Sequence, residues 1–231
     1  MADAKTNESC RAGNETGEHK PAYEAPHELS HIKRVVAIMS GKGGVGKSSV
    51  TAILAVTLSR KGYQVGVLDA DITGPSIPKM FGLKERPTPI EDAMIAPATP
   101  GLSIRVMSMN LLLPQEDEAV IWRGPLISGV IKQFWKDVVW GNLDYLLVDL
   151  PPGTSDAPLT VMQSLPLNGL IIVSSPQDLA VMVVRKAIRM AAIMNIPIIG
   201  LVENMAYVSC PKCGEQIYAF GEPQGEKVAA A

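Results

Sequence analysis

The residues of this chain whose types and spacing suit chemistry fall in three groups: a glycine-rich loop, a set of strand-end carboxylates and one close cysteine pair. The loop reads Gly41-Lys42-Gly43-Gly44-Val45-Gly46-Lys47-Ser48-Ser49, which satisfies G-x-x-x-x-G-K-[ST]. It follows an apolar, β-branched run and opens a helical pattern, the context in which such a loop binds phosphate. Glycines let successive backbone N–H groups turn inward around an anion, and the helix N-terminus adds partial positive charge. Lys47 is then placed to reach the β- and γ-phosphates, and the Ser48 hydroxyl to ligate Mg²⁺. The expected ligand is ATP with Mg²⁺. Two ammonium groups in one tight loop repel each other, so the second lysine, Lys42, also calls for a polyanion nearby.

Carboxylates follow at the ends of two buried runs. Val65-Gly66-Val67-Leu68 runs into Asp69-Ala70-Asp71, and Tyr145-Leu146-Leu147-Val148 into Asp149. Carboxylates at strand ends can hold Mg²⁺ through its waters and orient an attacking water. The second run has a Walker B pattern, so Asp149 is expected to bind Mg²⁺ indirectly. Leu150-Pro151-Pro152-Gly153-Thr154-Ser155-Asp156 then reads as a loop that responds to the γ-phosphate.

The third group is Cys210-Pro211-Lys212-Cys213. One C-x-x-C supplies two thiolates, whereas a structural zinc or a [4Fe–4S] cluster normally takes four ligands. The remaining cysteine, Cys10, stands alone near the N-terminus. Two subunits that each donate one pair would complete a tetrathiolate site.

Positioning these groups requires alternating elements. Apolar runs at 35–39, 65–68, 104–107, 145–150, 170–174 and 196–202 read as parallel strands covered on both faces. Helical patterns at 49–60, 126–139 and 179–194 lie between several of them. This order predicts an α/β fold, a doubly wound and mostly parallel sheet with helices on both faces. Residues 1–30 carry no apolar periodicity and read as a flexible polar leader, with the ATPase domain over 31–231. The proline-rich stretch 82–100 reads as a surface excursion.

Composition narrows the function classes. The 231 residues are 47% hydrophobic and 19% charged, enough to bury a full core. A net charge of -2, from 21 basic and 23 acidic residues, does not announce a nucleic-acid surface or a polybasic membrane patch. No run approaches the roughly 18 apolar residues of a membrane span, and the first 30 residues lack the apolar core of a secretory signal. Cysteine usage does not suggest a disulfide framework. The expectation is a cytoplasmic protein that binds neither nucleic acid nor membrane.

Lys-Gly-Gly-Val-Gly-Lys resembles the deviant Walker A loop of the MinD/ParA/nitrogenase-iron-protein class. That resemblance implies that Lys42 crosses a dimer interface to the partner's nucleotide. It implies that Asp71, in switch I, positions the attacking water, and that Asn204, at the end of the sixth strand, reads the adenine edge. Asp71, Lys42 and Lys47 form the implied catalytic set, with Ser48, Asp71 and Asp149 around Mg²⁺. Residues 40–49, Asp69-Ala70-Asp71-Ile72-Thr73-Gly74-Pro75-Ser76-Ile77-Pro78, Trp122-Arg123-Gly124-Pro125, residues 149–156 and the cysteine pair together resemble the Mrp/ApbC family of iron–sulfur cluster carrier ATPases. The match spans about residues 32–221. It implies a homodimer that holds a labile [4Fe–4S] cluster on Cys210 and Cys213 of both subunits, hydrolyses ATP slowly and passes the cluster to apo-proteins.

Two departures accompany the resemblance. Eukaryotic relatives can carry a four-cysteine motif in the leader, where this chain has only Cys10, so a second, stable cluster is not expected. The family continues through another βα unit, so the sheet either closes with six strands or continues past Ala231. Two rival readings keep the nucleotide site: a ParA/MinD-type positioning ATPase, and an ATPase dimer with structural zinc in the four-thiol site. The first needs a basic surface or an amphipathic helix. The second is favoured by long Met-rich helices, whereas Met182, Met190 and Met194 have core-like spacing on one helix.

Overall fold

Strands rich in Val, Ile and Leu on both faces need cover on both faces, and the alternation of strands and helices along this chain supplies it. A computed structural model describes residues 23–72, 74–113, 124–154, 156–176 and 178–229. In chain order its elements are β1 (His31–Ser40), α1 (Lys47–Arg60), β2 (Val65–Asp69), α2 (Ile77–Met80), β3 (Thr88–Ile90), β4 (Ala93–Ile95), β5 (Arg105–Ser108), α3 (Gly124–Lys136), β6 (Val138–Val139), β7 (Asn142–Asp149), α4 (Asp156–Ser164), β8 (Gly169–Ser174), α5 (Asp178–Ile193), β9 (Ile198–Glu203), β10 (Val208–Ser209), β11 (Gln216–Ile217) and α6 (Gly225–Ala229). The main sheet has six strands in the order β5-β2-β7-β1-β8-β9. Every pairing in it is parallel.

The two-residue period of a strand sorts its side chains between two cores. Val35, Ala37 and Met39 of β1 join a cluster with Ile131 of α3, Val161 of α4 and Ala187 of α5. Val36 and Ile38 point the other way, into a cluster with Ala55 of α1 and Ile77 of α2. The fold is therefore the expected α/β sheet with helices on both faces. Each fully buried aliphatic side chain such as Ile38 or Leu146 contributes roughly 1.5–3 kcal/mol by leaving water. At Gly66 a Cβ would lie 2.6 Å from Leu143 Cδ1 and 3.2 Å from the Trp140 ring, so a larger residue at this position in β2 would force those side chains to shift.

Three boundaries differ from the sequence reading. Helix α3 ends at Lys136, and Val138–Val139 form β6, which pairs in parallel with Met94 and Ile95 of β4. The β-branched pair joins a sheet edge where helical periodicity alone would have continued the helix. The stretch 82–100 holds β3 and β4, paired antiparallel, and buries Ala96. Helix α4, which the sequence reading left out, follows the Pro-Gly loop directly.

At the N-terminal side, Trp135 Nε1 donates to the Glu24 carbonyl at 2.8 Å, and Ser30 Oγ accepts from Trp140 N at 2.9 Å. Cys10, Trp122, Arg123, Thr73 and Ser155 lie outside the described residues. Among the described residues, no helix is long and apolar enough to cross a membrane.

Candidate functional site

All six main strands run the same way, so their C-terminal ends share one edge of the sheet, where open α/β sheets bind ligands. The phosphate loop leaves β1 at this edge, Asp69 ends β2, Asp149 ends β7, and Asn204 follows β9. Register brings the carboxylates together: Asp149 pairs with both Ile38 of β1 and Asp69 of β2.

The loop itself is built for an anion. Gly44 and Gly46 take φ of 81° and 83°, a region that favours glycine. Helix α1 begins at Lys47 with no side-chain cap, so its first N–H groups are not claimed by a capping residue. The loop borders a cavity of about 210 Å³ whose wall includes Gly43, Gly44, Lys47, Ser48, Asp71 and Ser76. Gly46 and Ser49 also line it, whereas Lys42 is exposed on the loop and is not part of the wall. Gly41 is half-buried and Val45 is buried behind the loop.

Beneath the loop lies a dense polar cluster. Lys47 Nζ pairs with Asp149 Oδ2 at 2.6 Å, with the two side chains 6% and 0% exposed. Ser48 Oγ donates to the same oxygen at 2.6 Å, and Thr51 Oγ1 donates to Asp149 Oδ1 at 2.7 Å. A serine hydroxyl and a buried carboxylate thus converge on one cation, an oxygen donor set that also suits Mg²⁺. Sequence reasoning overlooked Thr51, although its place four residues after Lys47 puts both on one helix face.

Asp69, one of the strand-end carboxylates expected from the sequence, makes contacts that the sequence did not show. It is fully buried, and its Oδ2 accepts from the backbone N–H of Ser76 at 3.0 Å and of Ile77 at 3.1 Å, and from Ser108 Oγ at 3.3 Å. Its Oδ1 accepts from Asp71 N at 3.2 Å. Burial first, and then the charge of Asp149, push its carboxyl up to about 7. Asp69 thereby ties down both ends of the loop that carries Asp71 to the cavity. A second overlooked group is Ser40, whose buried Oγ lines the same cavity and has no hydrogen-bond partner among the described residues.

Asn204 reaches the loop from the far side, where its Nδ2 donates to the Val45 carbonyl at 2.9 Å. The cysteines stand beyond it on a short hairpin. Val208 pairs with Ile217 and Ser209 with Gln216. Cys210 N donates to Glu215 O at 2.8 Å, and Gly214 N to Cys210 O at 2.9 Å. Cys213 is exposed and Cys210 half-buried, and both are free thiols. The backbone N–H of Cys213, then that of Lys212, and then the Cys213 side chain hold the Cys210 thiol below its usual range, toward the metal-binding thiolate. Among the described residues, no group of three or more His, Cys, Asp or Glu could hold a metal ion.

The ParA-type family model described as NUBPL iron-transfer P-loop NTPase matches residues 31–231. The chain belongs to this family. An iron–sulfur cluster carrier protein of Clostridium perfringens is 46% identical over 99% of this chain and 83% of the relative. Another, of Methanocaldococcus jannaschii, is 52% identical over 87% of this chain and 70% of the relative. Among solved structures, a nucleotide-binding protein of Archaeoglobus fulgidus in complex with ADP superposes with a TM-score of 0.77. It is 50% identical and covers 86% of this chain and 77% of its own. The septum site-determining protein MinD of Pyrococcus horikoshii, complexed with Mg-ADP, shares the fold at a TM-score of 0.57 and 24% identity, over 75% of this chain and 70% of its own. The chain thus has the fold of MinD, joined here to a cysteine hairpin.

Proposed function

We propose that this iron-transfer NTPase is a cytoplasmic carrier that binds ATP with Mg²⁺, hydrolyses it slowly, and delivers a [4Fe–4S] cluster to apo iron–sulfur proteins. One observation carries this reading: the same chain holds a phosphate loop above a buried Lys47–Asp149–Ser48 cluster and an open pair of thiols that, among the described residues, has no further metal-binding group around it. Two thiolates per chain are half of a tetrathiolate site, so the cluster is held between two copies, by Cys210 and Cys213 of each.

The nucleotide chemistry follows from the residues. The N–H groups of residues 43–49 cradle the phosphates, and the Lys47 ammonium serves the β- and γ-oxygens. Ser48 would hold Mg²⁺ directly, with Asp149 and Asp71 holding it through water, and the bound ion would supply neutralisation of the charge that develops on the phosphates. Asp71, held by Asp69 at the cavity wall, orients the water that attacks the γ-phosphorus, and ADP leaves with the bridging oxygen. Lys42, exposed on the loop, contacts the nucleotide of the second subunit. Asn204 borders the adenine end.

Transfer tests the reading. Protein reconstituted anaerobically with iron and sulfide is expected to restore activity to an apo-enzyme that needs a [4Fe–4S] cluster. It should do so with an iron chelator present, whereas free iron and sulfide should not. Transfer no faster than from free iron under chelation would contradict it.

A further inference from the structure

We propose that Asn204 is a positioning residue for the phosphate loop, an inference that rests on the nucleotide reading above and goes beyond base recognition. In a planar trans peptide the carbonyl of one residue and the N–H of the next point in opposite directions. The Val45 carbonyl accepts from Asn204 Nδ2 at 2.9 Å, and Asn204 is not among the residues that line the cavity Gly46 borders. The Gly46 N–H of that same unit therefore points away from Asn204, which leaves it available to the phosphates. Without this donor, the unit is free to flip and present an oxygen to an anion.

The loop's own residue choice agrees. Gly46 has φ 83°, and a Cβ there would lie 2.3 Å from Asn204 Nδ2 and 3.8 Å from Met205 Cε. Glycine at this position serves both the turn and the close approach of the amide.

The anchor is also fixed from its own side. Asn204 N donates to Ser174 O at 2.8 Å, joining the ends of β8 and β9. The preceding residue, Glu203, accepts from Gln224 N and Gly225 N, both at 2.9 Å, through its two carboxylate oxygens. A donor whose backbone is held at a strand end can fix a glycine loop that has little stiffness of its own. The amide has a second N–H and a carbonyl, so the loop contact leaves an adenine contact possible, and experiment separates the two.

The probe is inorganic tripolyphosphate with Mg²⁺, which has the phosphates of ATP and no base. Its binding and that of ATP are measured by calorimetry on the full chain, on Asn204→Leu, which keeps the approximate shape and removes the donor without adding charge, and on Asn204→Ala. Loss of one hydrogen bond predicts about tenfold weaker binding of both ligands, by the same factor. Circular dichroism and iron uptake at the cysteine pair should stay as in the wild type, since neither depends on this contact. Unchanged tripolyphosphate binding with weakened ATP binding would assign Asn204 to the base alone and overturn the proposal. Unchanged binding of both would overturn it as well. A wild-type chain that binds neither ligand would instead sink the nucleotide reading beneath it.

Discussion

The Lys47→Ala protein is expected to lose ATP affinity by about 100-fold or more, the effect of removing a charge-assisted contact to the β- and γ-phosphates. Two consequences of the substitution need separating. The ammonium is the cation that serves phosphate in the proposed complex, so its loss weakens binding. It is also the partner of a fully buried Asp149, at 2.6 Å. Removing one member of a buried pair costs roughly 3–5 kcal/mol when the other charge is left alone. Asp149 keeps hydrogen bonds from Ser48 and Thr51, which places the cost toward the low end. The variant should therefore melt at a lower temperature yet remain folded at 25 °C. Calorimetry at that temperature reads the affinity, and an ATP affinity equal to the wild type would remove the nucleotide assignment.

Cys210→Ser and Cys213→Ser are each expected to lose the iron bound on anaerobic reconstitution while retaining ATP binding. A serine hydroxyl does not ionise near neutral pH, and the hydroxyl is a poor substitute for a thiolate at iron. The hairpin that carries both residues is held by backbone bonds, Cys210 N to Glu215 O and Gly214 N to Cys210 O, so the exchange leaves its frame intact. The phosphate loop lies at a separate place on the sheet edge. Cys10→Ser should change neither property. Iron analysis and calorimetry on the same samples check this. A full complement of iron in the Cys210→Ser protein would contradict it.

Much of this was legible in the sequence because the signals were local. A β-branched run, a glycine loop and a helix start are contiguous in residues 35–60, so strand, turn and helix could be read together. The strand-end aspartates were legible for the same reason. What the sequence did not show are the contacts between residues distant along the chain. Asp69 acquires its role from Ser76, Ile77 and Ser108, which only the parallel pairing of β2 with β5 and the turn into α2 bring within reach. The contact of Asn204 with Val45 spans 159 residues and depends on β9 lying at the sheet edge beside β8. The short strand Val138–Val139 was hidden because tertiary pairing with β4 overrode a continuing helical pattern. Helix α4 was obscured by Pro158 and by the Pro-Gly loop before it, which read as an extended switch.

The central claim is that two copies of this chain share one cluster through four thiolates, and native mass spectrometry of the anaerobically reconstituted wild type tests it most directly. The expected species is a dimer carrying the mass of one [4Fe–4S] cluster, with about four iron atoms per two chains, as four-thiolate ligation of such a cluster requires. Opening the dimer should release the cluster, so the monomer should carry no iron. A monomer that holds iron and sulfide by itself, or a dimer that holds only zinc after reconstitution with iron and sulfide, would contradict the claim.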